Sequence, residues 1–238
     1  MLSLVACLPL DVDHSKMYLG TKIIRDQEFC MRDLSFRPCV AADARAAVPL
    51  IYSSGPGAFN YVFCSRHEQE AQNFLHHAFS NGRSEFGFQQ HLAAVIDGEV
   101  VGVGALRTQS ESAGFMLAAI RDIGSFYAAR QVPGVMFRGL RTERVIRPPQ
   151  ANRGLIYQLG VKPEMRGRGI GEQLVEQLIL RAQTLSLTHV ALDVADNNPR
   201  ARALYLRLGF KPRVIRHGGF QSAFGGIGSH EYMEKPIV

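Results

Sequence analysis

The chain predicts an α/β (α+β) fold, a mixed sheet with helices on both faces in one domain. Three observations predict it. Two runs rich in β-branched residues flank Asp97-Gly98, the preferred chemistry of a tight type I′ hairpin. A strand ends at Gln158-Leu-Gly-Val and passes through a Gly- and Arg-rich turn straight into a helix at Ile170. An alternating strand, His189 to Ala195, then leads into a short helix punctuated at both ends.

The elements follow in order. Residues 1–32 are weakly periodic and read as an N-terminal extension, with Met17 and Met31 as alternative starts; a single domain is expected over 33–238. Leu34-Ser-Phe-Arg-Pro reads as a short strand. Ala41 to Tyr52 reads as a helix with Ala44, Ala47, Val48 and Ile51 on one face. Ser53-Ser-Gly-Pro-Gly57 breaks it, because Gly and Pro interrupt a helix. Glu68 to Phe79 is a second helix, ended by Asn81-Gly82, and the hairpin occupies His91 to Leu106. Residues 107–154 form a long helical insert with patches at Phe115–Ile120, Phe126–Arg130 and Val135–Val145. Leu155 to Val161 is a strand. Ile170 to Leu185 is an amphipathic helix with Ile170, Leu174, Leu178, Ala182 and Leu185 on one stripe. Val190, Leu192 and Val194 share one face of the next strand. In the helix Asn198 to Leu208, Asn198 suits the N-cap, Pro199 the first helical position and Gly209 the C′ position. Two strands complete the order, the last over Glu231 to Ile237, and the stretch His217 to Ser229 holds five glycines.

Composition narrows the function. The 238 residues carry 27 Lys+Arg against 21 Asp+Glu, a net charge of +6, with 46% hydrophobic and 20% charged residues. That balance excludes a largely disordered chain, and the length supports a core without disulfide or metal staples. No apolar run approaches the roughly 18 residues of a membrane span. The opening MLSLVACLPL lacks the basic start and cleavage site of a secretory signal. Cys7, Cys30, Cys39 and Cys64 form no C-x-x-C pair and no zinc spacing, so free thiols in the cytoplasm and no metal site are expected. No basic block interleaved with aromatics marks a nucleic-acid surface. The charge is uneven: residues 107–154 hold eight Arg, no Lys and three acids, a net +5. Arg138, Arg141 and Arg144 recur at every third position, as a solvated helix face or as a cationic wall beside an anionic ligand.

The chemistry-bearing segment is Gln158-Leu-Gly-Val-Lys-Pro-Glu-Met-Arg-Gly-Arg-Gly-Ile-Gly171. A helix N-terminus presents unpaired N–H groups and partial positive charge, which suit a phosphate. Gly167, Gly169 and Gly171 let the backbone approach an anion, and Arg166 and Arg168 add charge, so a pyrophosphate is the natural guest. There is no G-x-x-x-x-G-K-[ST], which excludes a P-loop. A dinucleotide-binding G-x-G-x-x-G fails at Glu172 or Leu174, and too few residues follow for that fold.

Two motifs together carry a resemblance. Val161 to Gly171 reads V-x-P-x-x-R-x-x-G-x-G, and Asn198 to Phe210 reads N-x-x-A-x-x-L-Y-x-x-x-G-F. Met in this order with a strand between, they make the chain similar to the GNAT N-acetyltransferase superfamily. The resemblance is strong over 155–212 and looser over Arg37, the hairpin and His230-Glu-Tyr-Met. The insert and the Tyr52-Ser-Ser-Gly-Pro segment look like a bacterial subgroup.

The resemblance implies a mostly antiparallel GNAT-like sheet and an acetyl-CoA site in a V-shaped gap between the fourth and fifth strands. Leu159 and Val161 would pair with the pantetheine arm through main-chain groups. Arg166, Gly167, Arg168, Gly169, Ile170 and Gly171 would hold the pyrophosphate. Asn198 falls beside the cofactor arm and equally suits a plain N-cap. Tyr205 matches the tyrosine that donates a proton to the departing thiolate. The implied activity is transfer of an acetyl group to an amine by direct attack in a ternary complex, with a small-molecule or peptide amine as acceptor and a homodimer as a possible assembly. The alternative is a non-catalytic acyl-CoA-binding module on the same fold.

The family often places a glutamate on its fourth strand as general base; Leu-Ile-Tyr-Gln-Leu-Gly-Val has none. Tyr157, Gln158, Glu143 and Asp193 stand as candidates. Acceptor specificity is expected from residues 52–61, the insert and Gly218–Gly228, and the arginines of the insert would favour an acidic acceptor by Coulomb preference.

Overall fold

The computed structural model describes residues 34–237. The extension read over 1–32, with Cys7, Cys30 and the alternative starts, lies outside the described residues. Seven strands form one sheet: β1 (Ser35–Pro38), β2 (His91–Ile96), β3 (Glu99–Arg107), β4 (Arg153–Val161), β5 (His189–Ala195), β6 (Lys211–Arg216) and β9 (His230–Pro236), in the order β1-β2-β3-β4-β5-β9-β6. Two short strands, β7 (Phe220–Gln221) and β8 (Gly226–Ile227), pair by themselves. Every neighbour in the main sheet is antiparallel except β4 and β5. At the β2–β3 turn, Asp97 and Gly98 both take positive φ (51° and 77°), the geometry the Asp-Gly pair predicts.

The helices are α1 (Ala44–Ser53), α2 (Pro56–Phe63), α3 (Glu70–Asn81), α4 (Ser112–Phe126), α5 (Val132–Thr142), α6 (Ile170–Thr184) and α7 (Pro199–Arg207). They cover both faces of the sheet. On one face, α1 to α5 share a core with Ala93, Val95, Val100 and Val103. It is rich in stacked aromatics, with Phe63 and Phe74 centroids 4.2 Å apart. On the other face, α6 and α7 bury Val175, Leu178 and Tyr205 against Leu106, Ile156, Val190 and Leu192. The alternation of β5 places Val190, Leu192 and Val194 in this second core. Asp193 alternates to the opposite face, toward α1–α5.

Several expectations need correction. A helix, α2, begins within the segment read as a break: Gly55 precedes it and Pro56 sits at its first position, where a missing N–H costs nothing. The insert forms two helices rather than three patches, and residues 127–131 are the link between them. Leu185 is not part of the apolar stripe; α6 ends at Thr184 and Leu185 is half exposed. Cys39 and Cys64 are buried free thiols. No helix among the described residues is long and apolar enough to cross a membrane.

Candidate active site

The site begins where β4 and β5 part. They pair only over Arg153↔His189, Gly154↔Val190 and Leu155↔Ala191. Beyond Leu155, β4 continues along β3 and β5 continues along β9 through Ala195↔His230. A wedge therefore opens between Ile156–Val161 and Leu192–Ala195, and the β4 edge facing it is unpaired. A β-bulge sharpens the bend. Gln158 takes φ 52°, an uncommon conformation for a residue with a side chain, where the β3–β4 register shifts. His91 ties the bulge down from the far strand, its Nε2 lying 2.8 Å from the Gln158 side-chain amide and its Nδ1 2.9 Å from the Gly87 carbonyl. Both partners of the ring are oxygens, the Gly87 carbonyl and Gln158 Oε1; burial lowers the His91 pKa, and these two bonds oppose the shift.

At the open end of the wedge lies the glycine turn. Gly167 and Gly169 take φ 81° and 79°, and a Cβ at either would meet nothing within 4 Å. Backbone course, not crowding, therefore calls for glycine there. Gly169 caps α6, whose first ladder bond runs from Gln173 N–H to Gly169 O; the N–H groups of Ile170, Gly171 and Glu172 face outward. The Ile170 side chain is buried, so only its backbone serves the turn. Arg166 donates through Nε to the Val161 carbonyl at 3.1 Å. Arg166, Gly167, Gly169, Ile170 and Gly171 line the cleft together with Leu159 and Val161, whereas Arg168 lies outside it.

The third side is α7. Its N-cap Asn198 accepts from the Ala201 N–H at 3.1 Å, so the capping role is occupied while the residue also lines the cleft. Tyr205 sits one face of α7 inward, packed edge-on to Phe210, with no hydrogen bond to its hydroxyl among the described residues. Burial pushes its pKa up to about 12, which keeps the proton on the phenol.

The four candidate bases separate by environment. Tyr157 donates its hydroxyl to the Glu85 carbonyl at 3.0 Å, and burial raises its pKa well above the usual value. Gln158 is committed to His91. Glu143, just past the end of α5, has its pKa raised by burial. Asp193 lies two residues past the last β4–β5 pair, at the apex of the wedge. Its side chain is 3% exposed, Oδ1 accepts from Arg216 at 2.6 Å, and Oδ2 is buried without a partner among the described residues. Burial raises its pKa to about 6, opposed by Arg216.

The cleft has a volume of about 1110 Å³ and runs from the glycine turn to the helical face. There α2, α4 and α5 wall it with apolar side chains, and Gly226 and Gly228 of the last loop close it. The two glycine-rich segments meet backbone to backbone: a Cβ at Gly57 would lie 2.8 Å from Gly226 O, and one at Gly225 would lie 2.5 Å from Gly57 O. The arginine stripe of the insert faces elsewhere. Arg138 donates to the Val62 carbonyl at 3.0 Å and to Ser65 Oγ at 2.9 Å, satisfying the C-terminal end of α2. Arg141 stacks on Phe220, 4.3 Å from its centroid, and Arg144 is exposed. None of the three lines the cleft. Residues the sequence reading missed are Glu85, which pairs with Arg107, and Arg200 and Arg207 of α7 at the open end. For the two arginines, the signal is their place on the helix of the second motif.

Residues 58–210 match the model of a family described as the acetyltransferase (GNAT) family. Over 70 residues the chain is 40% identical to a mycothiol acetyltransferase of Beutenbergia cavernae, covering 29% of this chain and 24% of that protein. It is 34% identical over 70 residues to the [ribosomal protein bS18]-alanine N-acetyltransferase of Salmonella typhimurium, covering 29% and 47%. The chain thus spans from about a quarter to about half the length of these curated relatives. A crystal structure of an acetyltransferase shares the fold at a TM-score of 0.55 and 20% identity, covering 86% of this chain and 100% of that one.

Proposed function

The chain belongs to the acetyltransferase (GNAT) family, and we propose that it moves the acetyl group of acetyl-CoA to an amine by direct attack in a ternary complex. The observation that carries this reading is the wedge between β4 and β5, with a helix N-terminus at its mouth and Asp193 and Tyr205 along its sides. The unpaired β4 edge, with Leu159 and Val161, is the strand on which the pantetheine arm pairs. The turn from Arg166 to Gly171 seats the pyrophosphate through backbone N–H groups, with Asn198 beside the arm. An arm that uses the Val161 carbonyl displaces Arg166 from it, which frees that guanidinium for the phosphates.

Acetyl-CoA supplies a thioester. An amine with a pKa of about 10.4 arrives protonated at neutral pH and must lose a proton first. Asp193 takes it, directly or through one water; a base at about 6 is ionised at neutral pH and stronger than an ordinary aspartate. The nitrogen lone pair forms the C–N bond, the C–S bond breaks, and the electron pair leaves on sulfur. Tyr205 gives its proton to that sulfur, and solvent resets both side chains. The non-catalytic reading drew its support from the missing acid on the fourth strand; Asp193 on the neighbouring strand offers that acid.

Release of free CoA thiol in the presence of a panel of primary amines tests the reading. Turnover is expected, with Tyr205→Phe losing about a hundredfold in kcat at unchanged acetyl-CoA affinity. Acetyl-CoA binding without thiol release from any amine would favour the non-catalytic module instead.

A further inference from the structure

We propose that the acceptor is a hydrophobic primary amine, a cationic head on an apolar chain or ring, held head-inward in the half of the cleft walled by α2, α4 and α5. The inference rests on the acetyltransferase reading and deepens it. It follows from what the wall is made of. Phe59 of α2, Met116 and Ile123 of α4, and Met136 and Leu140 of α5 line this half. Met116 and Leu140 remain 39% and 53% exposed, so apolar surface stands in water at the mouth and gains free energy when an apolar body covers it. Two methionines in one wall give it the adaptability to follow chains or rings.

The charge at the inner end points the same way. From the whole insert, Arg107 is the one basic residue lining the cleft, and it is already paired with Glu85. Glu143 and Asp193 line the same end; Asp193 holds Arg216 through Oδ1, and its Oδ2 has no partner among the described residues. An ammonium supplies a partner for that oxygen; a carboxylate brought there would find Arg107 and Arg216 already held by Glu85 and Asp193. A polyamine would leave its second ammonium against Met136 and Leu140, and a sugar amine would leave its hydroxyls unpaired on the same wall. The arginine count of the insert therefore misleads about the acceptor: Arg138 serves α2, Arg141 lies on Phe220, Arg153 pairs with Glu234, and Arg107 is held by Glu85.

The test compares kcat/KM for ethylamine, butylamine, hexylamine and 2-phenylethylamine with spermidine and glutamate. The expected result is a rise of about fourfold per methylene until the wall is covered, with spermidine and glutamate the poorest. Leu140→Asp should lower kcat/KM at least tenfold more for hexylamine than for ethylamine, a contrast that misfolding would not produce. A flat series, or spermidine or glutamate turned over better than hexylamine, overturns the inference while the transferase reading stands. If no amine is acetylated, the transferase reading fails, and calorimetry of the alkylamines on the CoA-loaded protein still decides: affinity rising with chain length supports the apolar acceptor site, and no binding overturns it.

Discussion

The two walls of the cleft are built from different material. The wall at the glycine turn is backbone: the unpaired edge of β4, two glycines at φ near 80°, and the first N–H groups of α6. The wall on α2, α4 and α5 is side chain: aromatic rings, two methionines and branched aliphatic residues, with acids at the inner end. A backbone wall recognises the repeating chemistry of an amide arm and a phosphate, and changing it means changing the course of the chain. A side-chain wall sets size and charge and changes by single substitutions. Under the proposed function, this difference would let one fold keep its cofactor while exchanging acceptors.

The comparison can be broken at its seam. Asp193 stands where the walls meet, and Asp193→Asn should lower kcat by about a hundred- to a thousandfold at unchanged acetyl-CoA affinity. Its folded pKa lies above the ordinary aspartate value, so the group is protonated and idle below about 6 and ionised above it. Activity should rise with pH through about 6, and that limb should vanish in Asp193→Asn; a pH–rate profile of both proteins checks it. The same shift has a stability sign. Burial disfavours the charged form, so this group subtracts stability as pH rises from the unfolded value toward 6.

A smaller effect sharpens the contrast on the acceptor side. Arg138→Ala removes charged donors from the C-terminal end of α2 and should cost about 1.5–3 kcal/mol in chemical denaturation. Neutral replacement of Arg144, exposed and outside the cleft, should leave both stability and acceptor KM unchanged. An altered preference for acidic amines in that variant would restore the cationic wall. Asn198→Ala should cost about 1 kcal/mol of stability through the lost cap. Asn198→Asp keeps the cap, so a loss of acetyl-CoA affinity in Asp but not in stability isolates its place beside the arm.

The backbone wall was legible in the sequence because its requirements fall on residue types with few substitutes. Gly167 and Gly169 mark left-handed positions, Pro199 marks a first helical turn, and Gly209 marks a helix end at φ 85°. The side-chain wall was not legible. A stripe of arginines at every third position is the same pattern whether it faces a ligand, water or the carbonyls of a neighbouring helix, and only the packing of α5 on α2 decides. The helix α2 itself was hidden because Gly55-Pro56 ends one helix and opens the next within two residues. Asp193 could be named as one of four candidates, but its standing depended on where β4 and β5 separate, which no periodicity reveals.

The central claim is that the main chain at the glycine turn seats the cofactor. Calorimetric titration of acetyl-CoA into the wild type, Gly169→Ala and Gly169→Glu tests it most directly. Space around Gly169 is open and φ is 79°, so both variants share the same backbone strain and only the second sets bulk and negative charge on the phosphate seat. The account predicts binding by the wild type, a modest loss in Gly169→Ala, and at least about a hundredfold loss, near 2.7 kcal/mol, in Gly169→Glu. Undiminished binding by Gly169→Glu, or none by the wild type, would contradict it.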